Sequence, residues 1–268
     1  MSSPDDEALR FDAIESRLTA HVSERMLELA GLRAGMSVLD LASGMGEPAL
    51  RAAQWVGASG RVVGIDVSAA ALEIARAKAR AAGLANVDFQ TLDAADFSSE
   101  GEPFDIVTAR WGLMSMSAPV RALAAARRAL ATDGRIVAAL WAERERIPWW
   151  DVPHRVTARH AALPDVDPEA PGALRYATLD RIERDFAAAG LTIEHVEELE
   201  VPVIEAGTSV GLVAWVRHIF TRWVEAIPPT RMPAWERELS DELESFRRGE
   251  TLQLGGLTRL VVARRPGR

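Results

Sequence analysis

SVLDLASGMGEPAL, residues Ser37–Leu50, decides how this chain is read. Ser37 to Ala42 is a short apolar run with one acidic residue near its end, the pattern of a buried parallel strand. Gly44 and Gly46 then make a tight turn, and a helix-compatible run starts at Pro48. Strand, glycine turn and helix form the front half of a nucleotide-binding βαβ unit. Glycine suits the turn because a Cβ would obstruct a ligand approaching the backbone, and because positive φ is open to it. The helix N-terminus adds free N–H groups that favour a carboxylate or phosphate.

The same alternation continues on both sides. Before the turn, residues 5–31 carry Leu9, Ile14, Leu18, Val22, Met26 and Leu29 at helical spacing, predicting one or two helices. After it come a helix over Ala49–Val56, a strand over Arg61–Val67, a helix capped by Ser68 and a strand over Asn86–Leu92. A fourth strand over Phe104–Arg110, a helix opening at Ser117 and Pro119, and a fifth strand over Arg135–Trp141 follow. This rhythm predicts a parallel α/β sheet. Ligands of such sheets bind at the carboxyl ends of the strands, beside the switch point. Asp40, Gly44, Asp66, Asp93 and Arg110 all fall at those ends.

Beyond Trp141 the rhythm breaks. Glu143–Ala177 is rich in proline, charge and tryptophan. A helix over Thr178–Gly190 and a strand over Leu191–Val203 restore it, Glu205–Gly249 is mostly helical, and a last strand covers Gly256–Arg264.

Composition narrows the chemistry. A chain of 268 residues can bury a full core, and one domain with insertions fits better than two domains. The net charge of −8 argues against a nucleic-acid backbone as partner. Without cysteine there is no disulfide, cysteine nucleophile or thiolate metal site, which suits a reducing cytoplasm. The polar, acidic start does not read as a secretory signal, and no apolar run is long enough to span a bilayer. Lys78 is the only lysine, so a GK[ST] phosphate loop is absent. The five histidines, at 21, 154, 160, 195 and 218, have no metal-binding spacing, and no metal is expected.

Together these motifs resemble those of the class I S-adenosylmethionine-dependent methyltransferases, in their small-molecule branch. Asp40–Gly46, DLASGMG, is similar to the D-x-G-x-G-x-G motif, with Ala42 in place of the first glycine. Gly64–Ser68 resembles the acidic motif ending the second strand, Leu92–Phe97 the third-strand motif, and Phe104–Met114 the fourth-strand motif. The resemblance implies a Rossmann-like, seven-stranded, mostly parallel sheet with helices on both faces and an antiparallel last strand. It also implies one domain, with the cofactor core at 35–142 and the sheet completed by 178–204 and 250–268. The segments 1–34, 143–177 and 205–249 would form a helical cap or lid over the cofactor.

The cofactor-binding residues implied are Asp40, Ala42, Gly44, Gly46, Asp66, Val67, Asp93, Ala94 and Arg110. Asp66 can accept both ribose hydroxyls, and Asp93 the adenine amino group, with the Ala94 N–H facing a ring nitrogen. The glycine turn cradles the methionine part and Asp40 supports its ammonium side. Gly44–Ala49 also fits the dinucleotide pattern, with Asp66 twenty positions past Gly46. Asp40 ahead of the glycines suits a pyrophosphate poorly, and Tyr176 has Asp180, not lysine, four positions on. A nicotinamide oxidoreductase is therefore the weaker reading.

The implied reaction is in-line methyl transfer from S-adenosylmethionine, leaving S-adenosylhomocysteine, to an oxygen, nitrogen or carbon of a small hydrophobic or aromatic metabolite. Trp111, Trp149 and Trp150 are expected to line the acceptor site, and His154, in the tryptophan-rich segment, is the candidate base. The motifs speak for donor binding more directly than for transfer. A cofactor-binding protein of this fold that cyclises, rearranges or simply binds its ligand is the alternative. No nucleic-acid or membrane partner is expected, and the sequence leaves monomer and homodimer open.

Overall fold

Strand β1 (Ser37–Leu41) is buried at four consecutive positions, as a central strand covered on both faces must be. It pairs in parallel with β2 (Arg61–Asp66) on one side and β4 (Phe104–Arg110) on the other. Beyond these lie β3 (Val87–Thr91) and β5 (Leu130–Trp141), also parallel. The computed structural model, which describes residues 11, 13–98 and 101–266, orders the sheet β3-β2-β1-β4-β5-β8-β6. Here β6 is Thr192–Ala206 and β8 is Thr251–Arg264. β8 runs antiparallel to β5, with Trp141 opposite Thr258 and Arg135 opposite Arg264. A two-residue β7 (Arg247–Arg248) pairs with the start of β8 and makes an eighth strand where seven were expected. The strand order reverses between β1 and β4, so the switch point lies at their carboxyl ends.

The helices follow from apolar spacing and caps. α1 (Ala20–Ala30) buries Val22, Met26 and Leu27. α2 (Ala49–Val56) buries Ala49, Ala52, Ala53 and Val56, an i, i+3, i+4, i+7 stripe. Ser68 caps α3 (Ala69–Ala81) by accepting the Ala71 N–H at 3.2 Å. Pro119 opens α4 (Pro119–Ala129), and Thr178 caps α6 (Leu179–Ala188). Residues 13–18 are helical ahead of α1, while positions 5–10 of the expected N-terminal helix, Leu9 included, lie outside the described residues. No helix among the described residues is long and apolar enough to cross a membrane.

The chain divides into two compact units. The first holds residues 21–141, 168–199 and 258 onward; the second holds 142–167, 200–257 and the described residues up to Ala20. Residues 21–34 and 168–177, expected in the cap, thus group with the sheet. The reason is hydrogen bonding. Arg25 of α1 forks onto Glu197 of β6 through two bonds of 2.8 Å. The Gly172 N–H donates to the Met114 carbonyl at 2.9 Å, and the buried Arg175 guanidinium donates to the carbonyls of Met116 and Glu169.

The second unit is built on α5 (Pro148–His160), α7 (Ser209–Ile219), α8 (Thr221–Glu225) and α9 (Met232–Glu244). Trp235 of α9 is fully buried and donates its Nε1–H to Thr157 Oγ1 at 3.0 Å. Arg155 of α5 grips Glu242 of α9 through bonds of 2.9 and 2.6 Å. Replacing Trp235→Phe strands the Thr157 hydroxyl and removes buried ring area. Urea unfolding followed by circular dichroism is expected to give a loss of about 1–3 kcal/mol.

Candidate functional site

The turn after β1 is shaped by three positive backbone angles. Ala42 lies at φ 53°, Gly44 at 49° and Gly46 at 109°. Glycine is favoured at such angles because a side chain clashes with the following carbonyl. A Cβ on Gly46 would also lie 2.6 Å from Leu50 Cδ1, whereas one on Gly44 would project into open space. The Gly44 N–H donates to Asp66 Oδ2 at 2.9 Å, and the Ser68 N–H to Asp66 Oδ1 at 2.8 Å. Asp66 is thereby fixed across the β1 and β2 ends, and each oxygen keeps a second lone pair.

Ala42 stands where the motif has its first glycine, and it lies at a left-handed backbone angle. The sign of φ, not volume, is what favours glycine there, and alanine carries roughly 1–2 kcal/mol of strain. Its methyl fits because Gly112, after β4, has none: a Cβ there would sit 2.4 Å from Ala42 Cβ. Gly112 itself has φ −83°, which any residue adopts. The two residues are exchanged relative to what their backbones prefer.

Around these ends lies a cavity of about 390 Å³, within the range of small-ligand sites. Ala42, Asp66 and Val67 line one part, Asp93 and Ala94 another, and Gly112, Met116 and Ser117 a third. Asp93 is oriented by the Ala95 N–H, 2.8 Å from its Oδ1. Val67 is 71% exposed, an apolar surface at the sheet end. Met116 and Ser117 escaped the sequence reading, as did Arg175, whose bond to the Met116 carbonyl holds that wall. The run after Gly112, Leu113–Ser117, mixes leucine, methionine and serine, and Arg175 lies far along the chain, so neither carried a motif.

Asp40, Gly44, Gly46 and Arg110 are not among the lining residues. Gly44 acts through Asp66, and Arg110 places its guanidinium 5.0 Å from the Trp111 ring centre while its charge acts on Asp40. Asp40 is fully buried, and its Oδ1 accepts the Thr108 hydroxyl at 2.7 Å. Its Oδ2 is buried with no hydrogen-bond partner. Burial pushes its carboxyl up to about 7, against the Thr108 bond, the Arg110 charge and a backbone hydrogen bond from Ala49, with Glu47 adding to the rise.

The three expected acceptor-lining tryptophans are not in the cavity wall. Trp111 stacks on Trp141 at 4.6 Å and donates to Thr258 Oγ1 at 2.9 Å, anchored inside the sheet unit. Trp149 and Trp150 belong to the second unit, where they pack with Phe220 and Trp223. His154, the candidate base, also belongs to the second unit. His154 is buried there, stacked on Trp150 at 4.7 Å, and its Nδ1 lies 3.1 Å from Arg144 Nη2. A guanidinium only donates, so Nδ1 accepts and the neutral ring carries its proton on Nε2. Burial, then the Arg144 charge, lowers the pKa below the usual histidine value, against the opposing charge of Asp151. In this arrangement His154 offers an N–H, not a lone pair. Among the described residues no group of three or more acidic or histidine side chains is arranged to hold a metal.

A family model described as a methyltransferase domain matches residues 32–168. The nocamycin O-methyltransferase of Saccharothrix syringae is 32% identical over 263 residues, covering 89% of either chain. This chain is a class I S-adenosylmethionine-dependent methyltransferase by family. The ubiquinone/menaquinone biosynthesis C-methyltransferase UbiE of Idiomarina loihiensis is 34% identical over 112 residues, 41% of this chain and 45% of that one. Against such relatives the chain aligns over about half their length. In fold, the methyltransferase sheet agrees with the YcgJ protein of Bacillus subtilis, at a TM-score of 0.61 and 22% identity, covering 92% of this chain and all of that one.

The Ala42–Gly112 exchange gives a direct test. Gly112→Ala should lower stability by about 1–3 kcal/mol through overpacking, and adding Ala42→Gly should restore most of it. Thermal melts of both singles and the double check the coupling.

Proposed function

We propose that this chain transfers a methyl group from S-adenosylmethionine to an oxygen, nitrogen or carbon nucleophile of a small hydrophobic or aromatic metabolite. The observation that carries the reading is the convergence of Ala42, Asp66 and Asp93 around one cavity at the switch point. The cofactor suits these residues. Asp66 has lone pairs left for a ribose diol, Asp93 and Ala94 flank the place for an adenine edge, and Val67 offers it an apolar face. Asp40 holds a buried oxygen without a donor, which an ammonium would satisfy. When bound, the cofactor supplies an activated methyl on a sulfonium that is already a good leaving group. The protein's share is then to align the acceptor and exclude water.

The relatives named above support a small acceptor; one is named for nocamycin and one for ubiquinone and menaquinone biosynthesis. A chain without cysteine is consistent with action in the cytoplasm.

Methyl-labelled cofactor offered with a panel of hydroxylated aromatic metabolites should give labelled product, and EDTA should leave the rate unchanged. Binding of S-adenosylhomocysteine without labelling of any accepted ligand would favour the non-methylating alternative. Binding of a nicotinamide dinucleotide instead would overturn the reading. Asp66→Ala should weaken S-adenosylhomocysteine binding by about 10- to 100-fold through loss of charge-assisted hydrogen bonds.

Asp40 gives binding a pH dependence. A carboxyl raised from its ordinary range to about 7 keeps its proton in the folded, ligand-free protein after the unfolded chain has released it. Folding stability therefore falls as pH rises from about 4 to 7. A bound ammonium favours the charged form, so affinity runs the other way and rises with pH through the same window. Calorimetry should find S-adenosylhomocysteine on the order of tenfold weaker at pH 6 than at pH 7.5, with the difference abolished in Asp40→Asn.

A further inference from the structure

Residues 168–177 form neither helix nor strand, yet two of them grip the cavity wall. The Gly172 N–H donates to the Met114 carbonyl at 2.9 Å, and Arg175 Nη1 donates to the Met116 carbonyl. The end of the segment is anchored in the same unit. Tyr176 is fully buried and donates its hydroxyl to Asp185 of α6 at 3.1 Å, and the Ala177 carbonyl accepts from Arg259 of β8 at 2.6 Å. Arg175 therefore joins a fixed anchor to the loop after β4. That loop holds itself weakly: the Ser115 N–H reaches the Gly112 carbonyl at 3.0 Å, and the Met116 N–H reaches the Leu113 carbonyl only at 3.4 Å.

Arg175 is 8% exposed, and every hydrogen bond it makes goes to a carbonyl. Besides Met116, it donates to Glu169 from Nε at 3.2 Å and from Nη2 at 2.8 Å. A charge so far from water is costly to bury, but its hydrogen bonds are stronger and more directional than neutral ones. A guanidinium pulling on the Met116 carbonyl also polarises the whole amide group. That amide is trans and planar, so the Ser117 N–H points opposite to the carbonyl, away from Arg175. Ser117 lines the cavity, and its N–H makes no hydrogen bond among the described residues. Asp66 and Asp93 bring acceptors to the cavity; this N–H is a donor on another part of its wall.

We propose that Arg175 is a positioning residue for cofactor binding. By holding the Met116 carbonyl it fixes the Met116–Ser117 peptide and presents the Ser117 N–H, already oriented, to an acceptor atom of the bound nucleoside. An oriented donor spares the ligand the cost of ordering the loop. The proposal rests on the cofactor reading above. It adds a residue that lies outside the strands and their motifs, in a segment more than thirty positions past the end of β5.

The test joins calorimetry and amide NMR on the full chain. The probes are S-adenosylhomocysteine and 5′-methylthioadenosine, which share the nucleoside. In the parent chain the Ser117 amide proton should move downfield when S-adenosylhomocysteine binds. Arg175→Met should abolish that shift and weaken both probes by about tenfold. Arg175→Lys keeps a charged donor and should recover most of the affinity. Tyr176→Phe loosens the anchor without touching the wall, so it should lower the melting temperature and leave both affinities within twofold. An unmoved Ser117 amide in the parent chain, unchanged affinity in Arg175→Met, or equal losses in Arg175→Met and Tyr176→Phe overturns the proposal and leaves the cofactor reading standing. The amide shift needs no variant, so the proposal can fail even where Arg175→Met does not fold. A parent chain that binds neither probe overturns both readings.

Discussion

A single main-chain hydrogen bond, from Gly44 to the carboxylate of Asp66, ties the end of β1 to the end of β2. It exists only because the chain turns through left-handed backbone angles at residues 42, 44 and 46. Those angles aim the Gly44 N–H sideways, across the sheet, rather than along the strand. The Ser68 N–H takes the other Asp66 oxygen, so the carboxylate is held on two sides before any ligand arrives. A ligand meeting this carboxylate does not pay to order it, and that preorganisation converts hydrogen-bond geometry into affinity.

Much of this was legible in sequence because it depends on local rules. β4 and α2 fall at the bounds that apolar patterning predicts, Phe104–Arg110 and Ala49–Val56. Asp66 and Asp93 were placed by their positions at strand ends, and both line the cavity. What local rules could not supply was partnership over distance. β8 begins at Thr251 rather than Gly256, and its first two residues pair with β7. The allegiance of residues 168–177 to the sheet depends on Arg175, whose carbonyl partners include one at Met116. Tryptophan enrichment pointed to an acceptor site; in the structure Trp111 packs with Trp141 and bonds Thr258, and Trp150 packs with His154 and Trp223. Composition does not distinguish an aromatic side chain that lines a cavity from one that fills a core.

His154 illustrates the same point in protonation. Its Nδ1 faces Arg144, ten positions earlier in the chain. The identity of the group facing one ring nitrogen decides which nitrogen is free and with what role. Nothing in the spacing of histidines carries that information.

Ala42 and Gly112 have a historical implication. Because a methyl at one position excludes a methyl at the other, a lineage cannot exchange them in a single step. The passable route runs through an intermediate with glycine at both, a permissive state in which the cavity gains a methyl-sized hollow. Order therefore matters: loss on the β1 side must precede gain on the β4 side. The identity of the residue at 112 is contingent on what was already present at 42.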